Sequence, residues 1–159
     1  MPLNYLLALG TLTLFGGISL YLLPLEPNLL ALQFSFNQHD FQTVIAKWQG
    51  EALQRFTLHF WADFALLLCY GLWGYRLTSS GSIAWHLPPY WRSLGAWLLP
   101  LAAVCDALEN LLQLYLLQQP TAPAALYALA GMAALLKWLL FIGFALLLAW
   151  AWTRRRHGA

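Results

Sequence analysis

"CDALENLLQLYLL", residues 105 to 117, decides how this chain folds. Its leucines give it the apolar content of a membrane helix, yet Asp106, Glu109, Asn110 and Gln113 lie inside it. These four stand at i, i+3, i+4 and i+7, so a helix gathers them into one stripe, and Gly95, Ala102 and Ala103 continue that stripe toward the preceding end. Charge facing lipid is costly, whereas small residues let helix backbones approach one another. The stripe therefore predicts a helix whose polar face looks into a bundle.

The rest of the chain supplies that bundle. Of the 159 residues 61% are hydrophobic and only 9% charged, a balance that excludes an ordinary soluble domain and points to an integral membrane protein. A bilayer core takes about 20 apolar residues per helix, and four stretches qualify: 4–23, 56–77, 93–117 and 125–152. The expected architecture is a single all-α transmembrane domain, a four-helix bundle spanning residues 1–159. The first stretch reads as a retained span, since no Lys or Arg precedes it and it ends at Pro24 without a small-x-small cleavage site. Nine Trp, nine Phe and seven Tyr provide aromatic belts for the two interfaces.

Charge placement sets the orientation. Five of the eight basic residues fall between Arg76 and Arg92 or in the terminal "TRRRHGA". By the positive-inside rule these mark the cytoplasmic side. Both termini are then cytoplasmic, and residues 24–55 and the 118–123 turn lie on the outer face, which in a bacterial inner membrane is the periplasmic one. Within the outer segment 28–55, Leu32, Phe34 and Phe36 alternate with Gln33 and Ser35, the pattern of an extended stretch with one buried face. Asn37 then reads as an N-cap, and Phe41, Val44, Ile45, Trp48 and Ala52 recur at helical spacing up to a break near Gly50. This predicts an amphipathic helix lying over the outer mouth of the bundle as a lid.

The other spans carry matching faces. Span two has His59, Asp63, Tyr70 and Gly74 on one side, span four has Lys137 with Ala130, Ala133, Phe141 and Phe144, and span one offers Gly10, Thr13 and Gly17 for close packing. At about 1.5 Å of rise per residue, Asp63, Glu109 and Asn110 lie about 12–14 Å from the outer helix ends, and Asp106 and Lys137 about 18–21 Å. Left unpaired in lipid, the three carboxylates and one ammonium would cost about 10 kcal/mol on the insertion scale. They must meet one another or line a wet cavity. The candidate ligand-binding residues are accordingly Asp63, Asp106, Glu109, Asn110 and Lys137, with His59, Tyr70 and Gln113 beside them. Lys137 neutralises one carboxylate only, so the layer calls for a proton or a cation, expected near Glu109. On that reading Glu109→Gln spares the fold and abolishes binding.

These residues resemble the pattern of a family of small bacterial four-span membrane proteins. Its marks are an outer amphipathic segment ending near Trp48 and Gly50, an Asp-Phe at 63–64 with Tyr70 beyond, an Asp-x-x-Glu-Asn at Asp106, Glu109 and Asn110, and an intramembrane Lys at 137. The resemblance runs from about residue 30 to 145. It implies the four-span fold and brings no activity with it.

Several functions fit the pattern. One is a pocket open toward the periplasmic side for a small or amphiphilic, lipid-like ligand with a cationic or hydroxylated head. Another is an enzyme on a lipid or isoprenoid, with Asp63 or Glu109 as acid or base and Lys137 or Asn110 holding an oxyanion. A third is a structural or assembly subunit that uses its Trp-rich exterior against a membrane-protein partner or a second copy, and a fourth is a proton-coupled carrier. No basic run interleaved with aromatics marks a nucleic-acid surface. Cys69 and Cys105 sit in apolar helices without ligand spacing, so neither a disulfide nor a zinc site is expected. No cofactor is expected either, and an Asp/Asp/Glu set without a phosphate binds Mg²⁺ only weakly. Membrane lipid is the one partner the composition requires.

Overall fold

The computed structural model describes residues 2–80 and 86–157. Residues 81–85 of the basic connection and the last two residues of the basic tail, on which the orientation rests in part, lie outside them. The described residues form six helices and no strand: α1 (Pro2–Leu22), α2 (Leu29–Gln33), α3 (Gln38–Lys47), α4 (Glu51–Ser80), α5 (Pro89–Gln118) and α6 (Ala124–His157). Helices α1, α4, α5 and α6 are long and apolar enough to cross a membrane, so the chain is a multi-pass membrane protein built as an all-α four-helix bundle.

The spanning helices pack in the order α1, α4, α5, α6. Helix α1 lies antiparallel on α4. Near one end the Arg76 Nε donates to Asn4 Oδ1 at 2.8 Å, and near the other Arg55 reaches the Tyr21 carbonyl at 3.4 Å and stacks over its ring at 5.3 Å. Helices α4 and α5 meet closely because Gly74 has no side chain, and a Cβ there would lie 2.5 Å from the Leu99 Cβ. No such packing joins α1 to α6, and the row of four helices is open between its two ends. The face expected to bring α1 into close packing does so only at Gly10, which sits against Cys69 of α4. Thr13 and Gly17 are exposed, because α1 has a single spanning neighbour and needs only one narrow face to meet it.

The outer segment departs from expectation at its start. Residues 32–34 are not extended: Asn28 caps α2 by accepting from the Ala31 N–H at 3.2 Å, and the chain leaves that helix through a turn at Phe34. Leu32, Gln33 and Ser35 are buried while Phe34 and Phe36 are exposed, the reverse of the alternating face for the two aromatics. Helix α3 forms as expected. The Asn37 Oδ1 accepts from the Asp40 N–H at 2.9 Å, Phe41 and Val44 face inward, and Gly50, at φ +57°, makes the break before α4 in a conformation that glycine adopts without steric cost.

Two apolar clusters flank the middle of the bundle. The outer one is built from Leu25, Leu32, Phe41, Trp48, Phe56, Phe60, Leu116 and Tyr127, and the Trp48 indole is tied down by a 2.9 Å bond to the Pro27 carbonyl. The inner one joins Leu66, Leu67, Tyr70, Leu99, Ala102 and Phe144. Between them lies the polar layer.

Candidate functional site

The layer is assembled from α4, α5 and α6. Asp106, Glu109, Asn110 and Gln113 are all buried on one face of α5, and Lys137 comes from α6 to meet them. The Lys137 Nζ donates to Asp106 Oδ1 at 2.9 Å and to Glu109 Oε2 at 2.6 Å. The second oxygen of each carboxylate is also occupied: Tyr70 Oη donates to Asp106 Oδ2 at 3.0 Å and Gln113 Nε2 to Glu109 Oε1 at 2.8 Å. Every carboxylate oxygen of this trio has a donor. Glu109, at 0% exposure, is sealed within the protein.

Asp63 of α4 lies in the same layer on different terms. Its Oδ2 accepts from Asn110 Nδ2, while no donor among the described residues reaches Oδ1. No cation pairs with it among those residues, since Lys137 is spent on the other two carboxylates. One turn toward the outer end, His59 is 5% exposed and packed on Phe56 and Phe60, with Nδ1 on the Phe56 carbonyl, which leaves the Nε2 edge for other contacts.

A cleft of about 760 Å³ reaches this layer through the gap between α1 and α6. Its volume falls within the range of about 300–1,000 Å³ usual for small-molecule sites. Phe15, Ile18 and Leu22 of α1 form one wall and Trp138, Phe141 and Ile142 of α6 the other. His59, Asp63 and Tyr70 of α4 with Asp106, Asn110 and Gln113 of α5 form the floor, beside Lys137. Leu12, Phe15, Leu23, Leu30 and Ile142 along its rim are exposed, so the cleft is a lateral slot whose outer end lies at Leu23 and Leu30. Helix α2 roofs it through Asn28, Leu29, Leu30 and Gln33, and Gln33 Oε1 accepts from the Trp138 indole N–H at 3.2 Å. The lid expected from the 37–55 helix is therefore supplied by α2. Helix α3 packs instead against the outer end of α6, where Phe41 meets Tyr127 edge-on at 5.4 Å and Gln38 and Gln42 donate to the Pro120 carbonyl.

The structure thus brings all eight candidate residues into one layer and divides them. Seven of them line the cleft and Glu109 stands behind it. The uncompensated charge is expected near Glu109, whose two oxygens accept from Lys137 and Gln113; among the described residues Asp63 is the carboxylate of the layer without a cation. Gln33, Trp138 and Phe141 also line the cleft. Phe141 lies on the Lys137 face at i+4, but nothing in the sequence around Gln33 marked it as facing the site. Among the described residues no group of His, Cys, Asp and Glu is arranged to hold a metal ion. The chain matches no known protein family, no curated protein and no solved structure.

Proposed function

We propose that the cleft binds an amphiphile with a cationic ammonium head and an apolar chain, taken sideways from the outer half of a bacterial inner membrane. The observation that carries this reading is Asp63, a carboxylate without a cation at the floor of an apolar-walled slot. An anionic head would find no free positive charge, because Lys137 already faces two carboxylates. An ammonium head finds a carboxylate oxygen and the rings of Tyr70, Phe141 and Trp138, with Tyr70 and Phe141 4.9 Å apart and Phe141 and Trp138 6.0 Å apart. Aromatic faces attract such cations, most strongly where water is excluded. Asn110 holds Asp63, and His59 and Gln113 offer further polar contacts. Asp106, Glu109 and Lys137 form the fixed base beneath. Exposed leucines and Phe15 along the rim suit a chain that remains partly in lipid.

The orientation belongs to the same proposal. Arg76, Arg92, Arg154 and Arg155 stand at one end of the bundle, which the positive-inside rule places in the cytoplasm with both termini, and α2 and α3 then lie on the periplasmic side. A reporter fused at residue 159 that works only in the periplasm would overturn this.

Binding is tested with the full chain in nanodiscs by native mass spectrometry, offering dodecyltrimethylammonium, dodecyl sulfate and dodecanol. The trimethylammonium compound should bind best, and Asp63→Asn should remove that preference. Preferred binding of the sulfate, or a preference unchanged in Asp63→Asn, would sink the proposal. Chemical conversion of a lipid by the purified protein would show the site to be an enzyme's, and failure to hold together without a second protein would favour an assembly subunit.

A further inference from the structure

The proposed ligand brings one positive charge into a layer that already has to balance its own. Lys137 sits between Asp106 and Glu109, whose four oxygens accept from Lys137, Tyr70 and Gln113. None of those oxygens, each already holding a donor and sharing the Lys137 charge, stands open to the cleft for a proton. Asp63 Oδ1 does, because it has no donor and its residue lines the cleft. The groups of charge or titration facing Asp63 are His59 and Tyr70 from its own helix, Asp106 and Glu109 from α5 and Lys137 from α6. Helices α1 and α2 contribute to the cleft only Thr11, Ser19, Asn28 and Gln33 beside apolar residues, none of them titratable. Two carboxylates that share one lysine thus face Asp63, and an empty cleft offers it no cation.

We infer that Asp63 holds a proton when the cleft is empty and gives it up when a cationic head binds, so that the site exchanges one proton for one ligand. The Oδ1–H bond breaks, the proton passes to the aqueous buffer, and the ammonium takes its place as the counter-charge. Without ligand the proton returns. The exchange leaves the net charge of the buried layer unchanged, which matters where each uncompensated charge is costly to hold. It also couples occupancy of the cleft to proton concentration, so that a pH difference across a membrane becomes a means of loading or emptying the site. This inference rests on the cationic-ligand reading and goes beyond it.

The experiment uses dodecyltrimethylammonium, whose head carries no proton of its own, so any proton released belongs to the protein. Calorimetric titration of the protein in nanodiscs, in two buffers of different ionisation enthalpy and against empty nanodiscs, counts protons per ligand. About one should be released, and affinity should rise about tenfold per pH unit while Asp63 holds its proton, then level off. Asp63→Glu should keep both signatures. Asp63→Asn should lose both, and its folding is checked by its melting temperature. His59→Gln should bind more weakly and still show the pH slope. Binding with no proton released and constant affinity between about pH 5 and 9 would overturn the exchange while leaving the ligand reading intact. A slope lost in His59→Gln and kept in Asp63→Asn would overturn it in favour of the histidine. No binding of the probe at any pH would instead remove the ligand reading on which the exchange rests.

Discussion

Two carboxylates at similar depth meet opposite fates in this protein. Glu109 is wrapped by Lys137 and Gln113 and reaches neither lipid nor cleft, whereas Asp63 has one amide donor and an open oxygen. Both are acidic groups on helix faces turned inward, so residue type does not separate them. What separates them is how many neighbours their helix has on that side. Helix α5 lies between α4 and α6 and is covered from both, while α4 is flanked by α5 and by α1, and the cleft between α1 and α6 leaves the Asp63 side open. On the proposed reading, the ion-paired carboxylates hold the bundle and the open one meets the ligand.

That division is most severely tested at Lys137. Lys137→Met removes the cation that two buried carboxylates share, and breaking such a pair from one side costs about 3–5 kcal/mol. A large fall in unfolding free energy in detergent is expected, and a variant as stable as the parent would show that the trio does not hold the bundle. Glu109→Gln comes next, at about 1–3 kcal/mol, because the amide places an N–H where Lys137 or Gln113 now donates. Its ligand binding should persist in the fraction that remains folded, the opposite of what residue spacing alone suggests. Tyr70→Phe should cost about 0.6 kcal/mol, the average for one interhelical side-chain bond in a membrane protein. Asp63→Asn is expected to be the mildest in the same unfolding assay, since its amide oxygen still accepts from Asn110, while its effect on ligand binding should be the largest of the four. Were Asp63→Asn the most destabilising variant, the two carboxylates would have to exchange roles.

Much of this layout is legible in the sequence, and the exceptions have physical causes. The four spans, the Asn37 cap, the Gly50 break and the polar stripe of α5 all follow from periodicity and cost in lipid. The rotation of α1 does not, because that helix has no charged residue within its apolar run, and lipid accepts Gly17 and Thr13 as readily as it accepts a leucine. Nor does the difference between Glu109 and Asp63, which depends on which helices pack closely, and spacing reports only the contacts a face is able to make. At residues 32–36 a five-residue alternation imitates a strand. The sign that overrides it is Asn28, whose side chain caps the helix begun at Leu29 and sets Leu29, Leu32 and Gln33 at helical intervals.

The source of Lys137 has a consequence for how the protein is made. Translation delivers Asp63, then Asp106 and Glu109, and only 28 residues after Glu109 the lysine that joins the last two. During synthesis, therefore, α4 and α5 present three acidic side chains with no basic partner for them. Those helices must wait, protonated or shielded within the insertion machinery, until α6 emerges. A nascent chain stopped before residue 137 should remain bound to that machinery, and release into the bilayer should coincide with the arrival of the final span.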